Sequence, residues 1–242
     1  MELWHGFKSE SFNFEGRDAI IVFPNSPDEK KNWALKTEYW DAFPEEEIEL
    51  LNQGFHVAWV DNVTRFATKE DCDTKARFVK FLSEKYGLRD KCVPVGMSCG
   101  GAHAVNFAGY HPECVICMFI DAPVLNFCSY PGKLKNDHTE RVWAREFVVA
   151  YPGVTRADLF SFEPHPLNRI DTLKEHKIPV IMVYGTDDAV VPYHENGQLM
   201  EEKYTDASEL LILIPRVGEG HHPHGIPTDP QKITNHILKF TK

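Results

Sequence analysis

No apolar stretch in this chain approaches the ~20 residues that a membrane-spanning helix needs. The longest runs, such as Ile178-Pro-Val-Ile-Met-Val-Tyr184, fall far short of it. The N-terminus, Met1-Glu-Leu-Trp-His-Gly-Phe-Lys-Ser-Glu10, lacks a basic segment followed by an apolar one, so no secretory signal is visible. Basic residues are outnumbered: 26 Lys+Arg against 36 Asp+Glu leave a net charge of −10, which opposes any sequence-independent hold on nucleic acid or anionic lipid. Neither nucleic acid nor membrane is expected as a partner. No period of 20–50 residues repeats and no low-complexity linker divides the chain, which predicts a single domain over residues 1–242. Cysteine is sparse as well. Cys72, Cys92, Cys99, Cys114, Cys117 and Cys128 are scattered through apolar segments, in a chain long enough to bury roughly 70–75% of its unfolded surface without a covalent staple. They read as reduced core thiols of a cytoplasmic protein.

What is present is a globular composition, 43% hydrophobic and 26% charged. Short β-branched runs alternate with amphipathic helices, the pattern of an α/β fold with a mainly parallel sheet. A leading hairpin is predicted from Phe7–Phe14 and Ala19–Pro24, with further strands at Phe55–Asp61, Lys91–Gly96, Cys114–Ile120, Pro179–Tyr184 and Glu209–Ile214. Pro44 and three acids open a helix that stops at Gly54, the acidic run Glu45–Glu47 reading as a solvated helix start. Cys72, Ala76, Val79 and Tyr86 recur at helical spacing over Lys69–Tyr86, and Gly87 ends that helix. A last helix covers Gln231–Phe240. Residues 123–171 carry no clear strand and hold many aromatics.

Between the strand ending at Val95 and the apolar run Ala102–Ala108 lies Gly96-Met97-Ser98-Cys99-Gly100-Gly101, a G-x-S-x-G placed between strand and helix. On so sharp a turn the Ser98 hydroxyl projects above the sheet. The Cys99 amide, at the helix N-terminus, suits an oxyanion. A serine nucleophile needs a base, and the base needs orienting. Asp187 and Asp188 follow one later strand, and His221, His222 and His224 follow another. The order Ser, Asp, His, each after its own strand, is that of α/β-hydrolases.

With these residues the chain resembles the α/β-hydrolase superfamily over nearly its whole length. The resemblance implies a mainly parallel twisted sheet of about eight strands flanked by helices, with a small cap insertion at about 123–171. The family pattern D-x-x-V-P matches Asp188 with Val191-Pro192, and G-x-G-H matches Gly218, Gly220 and His221. The implied triad is therefore Ser98, Asp188 and His221. Asp187 and Asp121 stand as rival acids, Asp121 because it ends the strand after the nucleophile helix. The string Gly-His-His-Pro-His-Gly is similar to bacterial members of esterase type.

The second oxyanion donor is expected in the loop after Phe23-Pro24, near Trp33, which is also a candidate substrate contact with Tyr130 and Glu195. For Glu195-Asn196 helix capping competes with substrate binding. His222 and His224 are expected to pack around the catalytic imidazole, with no metal and no cofactor, and Cys114-x-x-Cys117 to be structural thiols within a strand. The resulting expectation is a serine esterase that acts through an acyl-enzyme on a small-molecule acyl ester, such as an acetylated metabolite or sugar. Its rivals are a peptidase, amidase or thioesterase on the same triad, and an inactive binding protein on the same fold. Self-association is left open.

Overall fold

A computed structural model describes residues 2–133 and 136–242. Residues 134 and 135, within the expected cap, lie outside the described residues. The strands are β1 Glu2–Trp4, β2 Phe7–Phe14, β3 Arg17–Phe23, β4 Trp33–Lys36, β5 His56–Val60, β6 Val93–Met97, β7 Met118–Asp121, β8 Val180–Gly185 and β9 Leu211–Arg216. Among the described residues they form one sheet of nine strands in the order β1-β2-β3-β5-β4-β6-β7-β8-β9. The pairs β1–β2, β2–β3 and β3–β5 are antiparallel, and the remaining pairs are parallel. This is the α/β-hydrolase architecture expected from the sequence.

The helices are α1 Glu45–Asn52, α2 Lys69–Tyr86, α3 Cys99–Tyr110, α4 Asp137–Val142, α5 Val148–Ala150, α6 Ile170–Glu175, α7 Gly197–Lys203 and α8 Gln231–Thr241. Alternating strand residues feed two cores, because successive side chains on a strand point to opposite faces. Leu35, Ala58, Ile120 and Met182 pack with residues of α2, α3, α6 and α7. Their neighbours Ala34, Val57, Phe119 and Ile181 pack with Leu50 and Leu51 of α1 and with Ile233 and Ile237 of α8. The sheet is thus covered on both sides, as parallel strands require. Among the described residues no helix is long and apolar enough to cross a membrane.

The α2 bounds match the sequence expectation. Thr68 caps its N-terminus by accepting the Asp71 amide, and Gly87 ends it in the left-handed conformation at φ 66°. Three expectations change. First, β4 was not foreseen: all four of its residues are buried, so it lacks the alternation of a half-exposed strand. Second, Cys114 and Cys117 do not sit within a strand, since Cys114 closes a 3-10 turn at Pro112–Cys114 and β7 begins only at Met118. All six cysteines are free. Third, the acidic start of α1 is not solvated. Glu47 is buried and pairs with the buried Lys36 Nζ at 2.5 Å, while Glu46 accepts from Thr234 Oγ1 of α8 at 2.6 Å. Lys36 ends β4 on the side that α1 covers, and a buried ammonium needs such a partner.

Candidate active site

The parallel strands end on one edge of the sheet, and three of the turns that leave them meet there. Ser98 follows β6 with φ 54° and ψ −119°, a sparsely populated conformation for a residue with a side chain. Two glycines make this turn possible. A Cβ at Gly96 would lie 2.2 Å from the Gly100 carbonyl oxygen, and one at Gly101 would lie 2.4 Å from Pro123 Cβ. Backbone bonds from the Ser98 amide to the Asp121 carbonyl and from the Val124 amide to the Ser98 carbonyl, both 2.9 Å, pin the turn against the end of β7.

Asp188 follows β8 and is buried. Its Oδ1 accepts the amides of Val190 and Val191, each at 2.8 Å, which fixes the carboxylate plane. Its Oδ2 faces His221 Nδ1 at 2.7 Å, and His221 Nε2 lies 3.1 Å from Ser98 Oγ. The three residues thus form a continuous line of hydrogen bonds. Burial alone would raise the Asp188 pKa. The hydrogen bond to His221, its charge and the two amides outweigh that effect and hold the carboxyl below its ordinary value. Asp187 is exposed and bonds within its own turn, so it is not brought to the imidazole.

Asp121 serves differently. Its Oδ2 accepts the Gly225 amide, and its Oδ1 lies 3.4 Å from Arg216 Nη2 and 3.5 Å from His224 Nδ1. It ties the histidine loop to the end of β7, while His221 Nδ1 is taken by Asp188.

Cys99 is the first residue of α3, so its amide is one of the unpaired first-turn donors beside Ser98. Its thiol is no rival nucleophile, because burial pushes its pKa up to about 11. Trp33 is not at this edge. It opens β4 at the opposite end of the strand and is fully buried, with its indole N–H on the Arg89 carbonyl at 2.9 Å. The sequence reading placed the donor loop one strand too early. The loop facing Ser98 is the one after β4, where Thr37 Oγ1 meets the Gly100 carbonyl at 2.7 Å and Tyr39 follows at φ 55°. Burial pushes the Tyr39 phenol well above its ordinary pKa, with Cys99 adding to the effect and Arg65 opposing it.

Ser98 opens into a cavity of about 320 Å³ whose wall includes Tyr39, Phe43, Arg65, Tyr130 and Val190. Tyr130 thus lines the cavity that holds Ser98. Glu195 does not: it accepts Ser129 Oγ at 2.5 Å, pairs with Lys133 and lines a different groove. Asn196 is no simple cap either. Its Oδ1 accepts the amides of Leu125 and Asn126, each at 3.0 Å, joining the acid loop to the chain after β7. Sequence reasoning missed Thr37, Tyr39 and Arg65 as site residues. The one signal for the first two was the short apolar run Trp33-Ala34-Leu35 ahead of them.

No family model matches the chain. It is 22% identical over 279 residues to a bifunctional esterase/perhydrolase of Acinetobacter calcoaceticus, with 93% of each chain covered. Its fold matches a puromycin-hydrolyzing peptidase of Mycobacterium tuberculosis with a TM-score of 0.75 and 16% identity, covering 99% of this chain and 40% of that one. It also matches Est1E from Butyrivibrio proteoclasticus with a TM-score of 0.66 and 15% identity, covering 96% and 98%. The chain thus spans about two-fifths of that peptidase and nearly all of Est1E. These likenesses are of fold, that of the α/β-hydrolase superfamily, and carry no subfamily defined by the histidine loop.

Proposed function

We propose that the chain is a serine hydrolase that cleaves a carboxylic acyl bond through an acyl-enzyme. The observation that carries this reading is the unbroken line from Asp188 through His221 to Ser98, ending beside the first amide of α3. Ser98 Oγ attacks the carbonyl carbon as its proton passes to His221 Nε2. Asp188 holds Nδ1–H and stabilises the imidazolium, and the Cys99 amide with the loop after β4 takes the oxyanion. His221 then protonates the leaving group, the acyl–oxygen or acyl–nitrogen bond breaks, and water repeats the sequence on the acyl-enzyme.

Two substrate classes suit this machinery. Cleavage of an amide or peptide is supported by the fit to a peptidase fold at a TM-score of 0.75. Cleavage of an ester is supported by correspondence over nearly the whole of both chains with the esterase/perhydrolase and with Est1E. A cavity of about 320 Å³ sits at the small end of ligand pockets and favours a short acyl group, such as acetyl, on a small molecule.

Within one domain, residues 123–171 are read as the cap. Of its aromatics, Phe127, Trp143 and Phe147 are buried together and pack this segment against Phe66 and Ala102, whereas Tyr130 reaches the cavity.

The test compares the native chain with Ser98→Ala on a nitrophenyl acyl series and on aminoacyl nitroanilides, with fluorophosphonate labelling of Ser98. Hydrolysis and labelling that both vanish in the variant, with folding intact, support the proposal. Native-level turnover in Ser98→Ala overturns it. A folded native chain that takes no label favours the binding-protein alternative. The ratio of kcat/KM on matched esters and amides decides the substrate class.

A further inference from the structure

We infer that the histidine loop holds a binding site for a soft divalent cation of the Zn²⁺ type, whose occupation shuts the active site. His221, His222 and His224 each offer one nitrogen, and these atoms lie within 4.8 Å of one another. The ring centroids form a nearly equilateral triangle with sides of 4.8, 4.8 and 4.9 Å, at interplanar angles of 70°, 80° and 85°. Three imidazoles around a tetrahedral ion at Zn–N distances of about 2.1 Å have centroids roughly 5 Å apart, so the rings already stand at coordinating separation. The nitrogens lie within 4.8 Å of one another, and closing them to the ~3.4 Å that this geometry needs takes a turn of the exposed His222 side chain from its stack on Phe43 together with small shifts of the two buried rings.

Ligating histidines characteristically have the second ring nitrogen held by a carboxylate, which fixes the tautomer and raises ligand basicity. One of these three has that support, and a second stands near a carboxylate that could give it. His221 Nδ1 faces Asp188 Oδ2 at 2.7 Å, which leaves Nε2 to ligate. His224 is 2% exposed, and its Nδ1 has no hydrogen-bond partner among the described residues. That nitrogen stands 3.5 Å from Asp121 Oδ1. An ion on His224 Nε2 would leave the proton on Nδ1, directed at Asp121. Ser98 Oγ, 3.1 Å from His221 Nε2, or a water completes four-coordination.

The cation would occupy the nitrogen that must accept the serine proton, so inhibition rests on the triad proposed above, whereas binding does not. The decisive experiment strips the native chain with chelator, dialyses it, and titrates it with Co²⁺ or Zn²⁺. Co²⁺ binding is read by equilibrium dialysis and by the visible absorption of a four-coordinate ion, and ester hydrolysis and fluorophosphonate labelling are followed in parallel. One Co²⁺ per chain is expected, with hydrolysis lost on Zn²⁺ addition and restored by EDTA. In His222→Ala, with that variant's own metal-free rate as the reference, the half-inhibiting Zn²⁺ concentration rises about tenfold or more. Ser98→Ala still binds Co²⁺. Inhibition and a Co²⁺ spectrum identical in native and His222→Ala chains overturn the site, as does hydrolysis indifferent to Zn²⁺. A His222-dependent Co²⁺ spectrum in a chain without hydrolytic activity keeps the metal site and removes the triad reading alone.

Discussion

Lys75 Nζ of α2 lies 3.2 Å from His103 Nδ1 of α3, and neither side chain has exposed surface. The nitrogen near Lys75 acts as acceptor, and His103 Nε2 lies 2.9 Å from the Thr64 carbonyl and 3.2 Å from the Ala67 amide; the shorter contact, to an oxygen that can only accept, and the Lys75 ammonium together favour the neutral Nε2–H tautomer. Burial first, and the Lys75 charge second, hold the His103 pKa well below its ordinary value.

The consequence for stability has a definite sign. As pH falls through the ordinary imidazole range, about 6.5, the unfolded chain takes a proton at His103 that the folded chain refuses. Stability from this group is full above that range and is lost toward the depressed folded value. Melting temperature should therefore decline on acidification in this window. His103→Gln should flatten the decline while lowering stability at neutral pH. An unchanged slope in the variant would assign the decline to other groups.

Replacing each candidate acid separates its role. Asp188→Asn should lower kcat on the order of 10⁴-fold with little change in folding, because the imidazole loses the partner that sets its tautomer and charge. Asp121→Asn acts through the position of the histidine loop and should lower kcat by about 10-fold to 100-fold, the scale of a small misplacement of reacting groups. Asp187→Asn should leave kcat near native. Steady-state kinetics with near-ultraviolet circular dichroism check the series, and a loss at Asp121 equal to that at Asp188 would contradict the assignment.

The candidate triad is legible because each member sits within a few residues of a strand that announces itself. Ser98 has Gly96 and Gly100 around it, Asp188 has Val191-Pro192 after it, and His221 follows two glycines. The loop after β4 was not legible. Trp33–Lys36 is buried on both faces and only four residues long, so it carries no period. Without a period to mark that strand, Trp33 reads as a loop residue, whereas it is the foot of a strand. Glu46 and Glu47 misled for a related reason: their partners, Thr234 and Lys36, lie on other elements and meet them only when α1 packs onto the sheet and α8. Arg65 reaches the cavity from the loop after β5, and nothing in its local sequence marks it.

Trp33 offers a direct check on that correction. Trp33→Ala should cost about 3–5 kcal/mol through the cavity it leaves. Trp33→Phe should cost less and mainly remove the hydrogen bond to the Arg89 carbonyl. In Trp33→Phe, kcat and KM should both stay near native at temperatures where the chain is folded. A raised KM with unchanged melting would return Trp33 to the substrate.

Thr37 tests whether the loop after β4 supplies the second oxyanion donor. Its hydroxyl stands 2.7 Å from the Gly100 carbonyl and 3.1 Å from the Val95 carbonyl, locking the loop onto the first turn of α3, which begins with Cys99. Thr37→Val keeps the shape but removes the hydroxyl's hydrogen bond to the Gly100 carbonyl, at about 0.5–1.5 kcal/mol. An oxyanion forms only along the reaction, so a misplaced donor should lower kcat, on the order of tenfold, and leave KM nearly unchanged. Thr37→Ser restores the hydroxyl and should restore kcat. If Thr37→Val lowers the melting temperature while kcat stays native, the loop's backbone is not a donor and Thr37 is a purely structural tie.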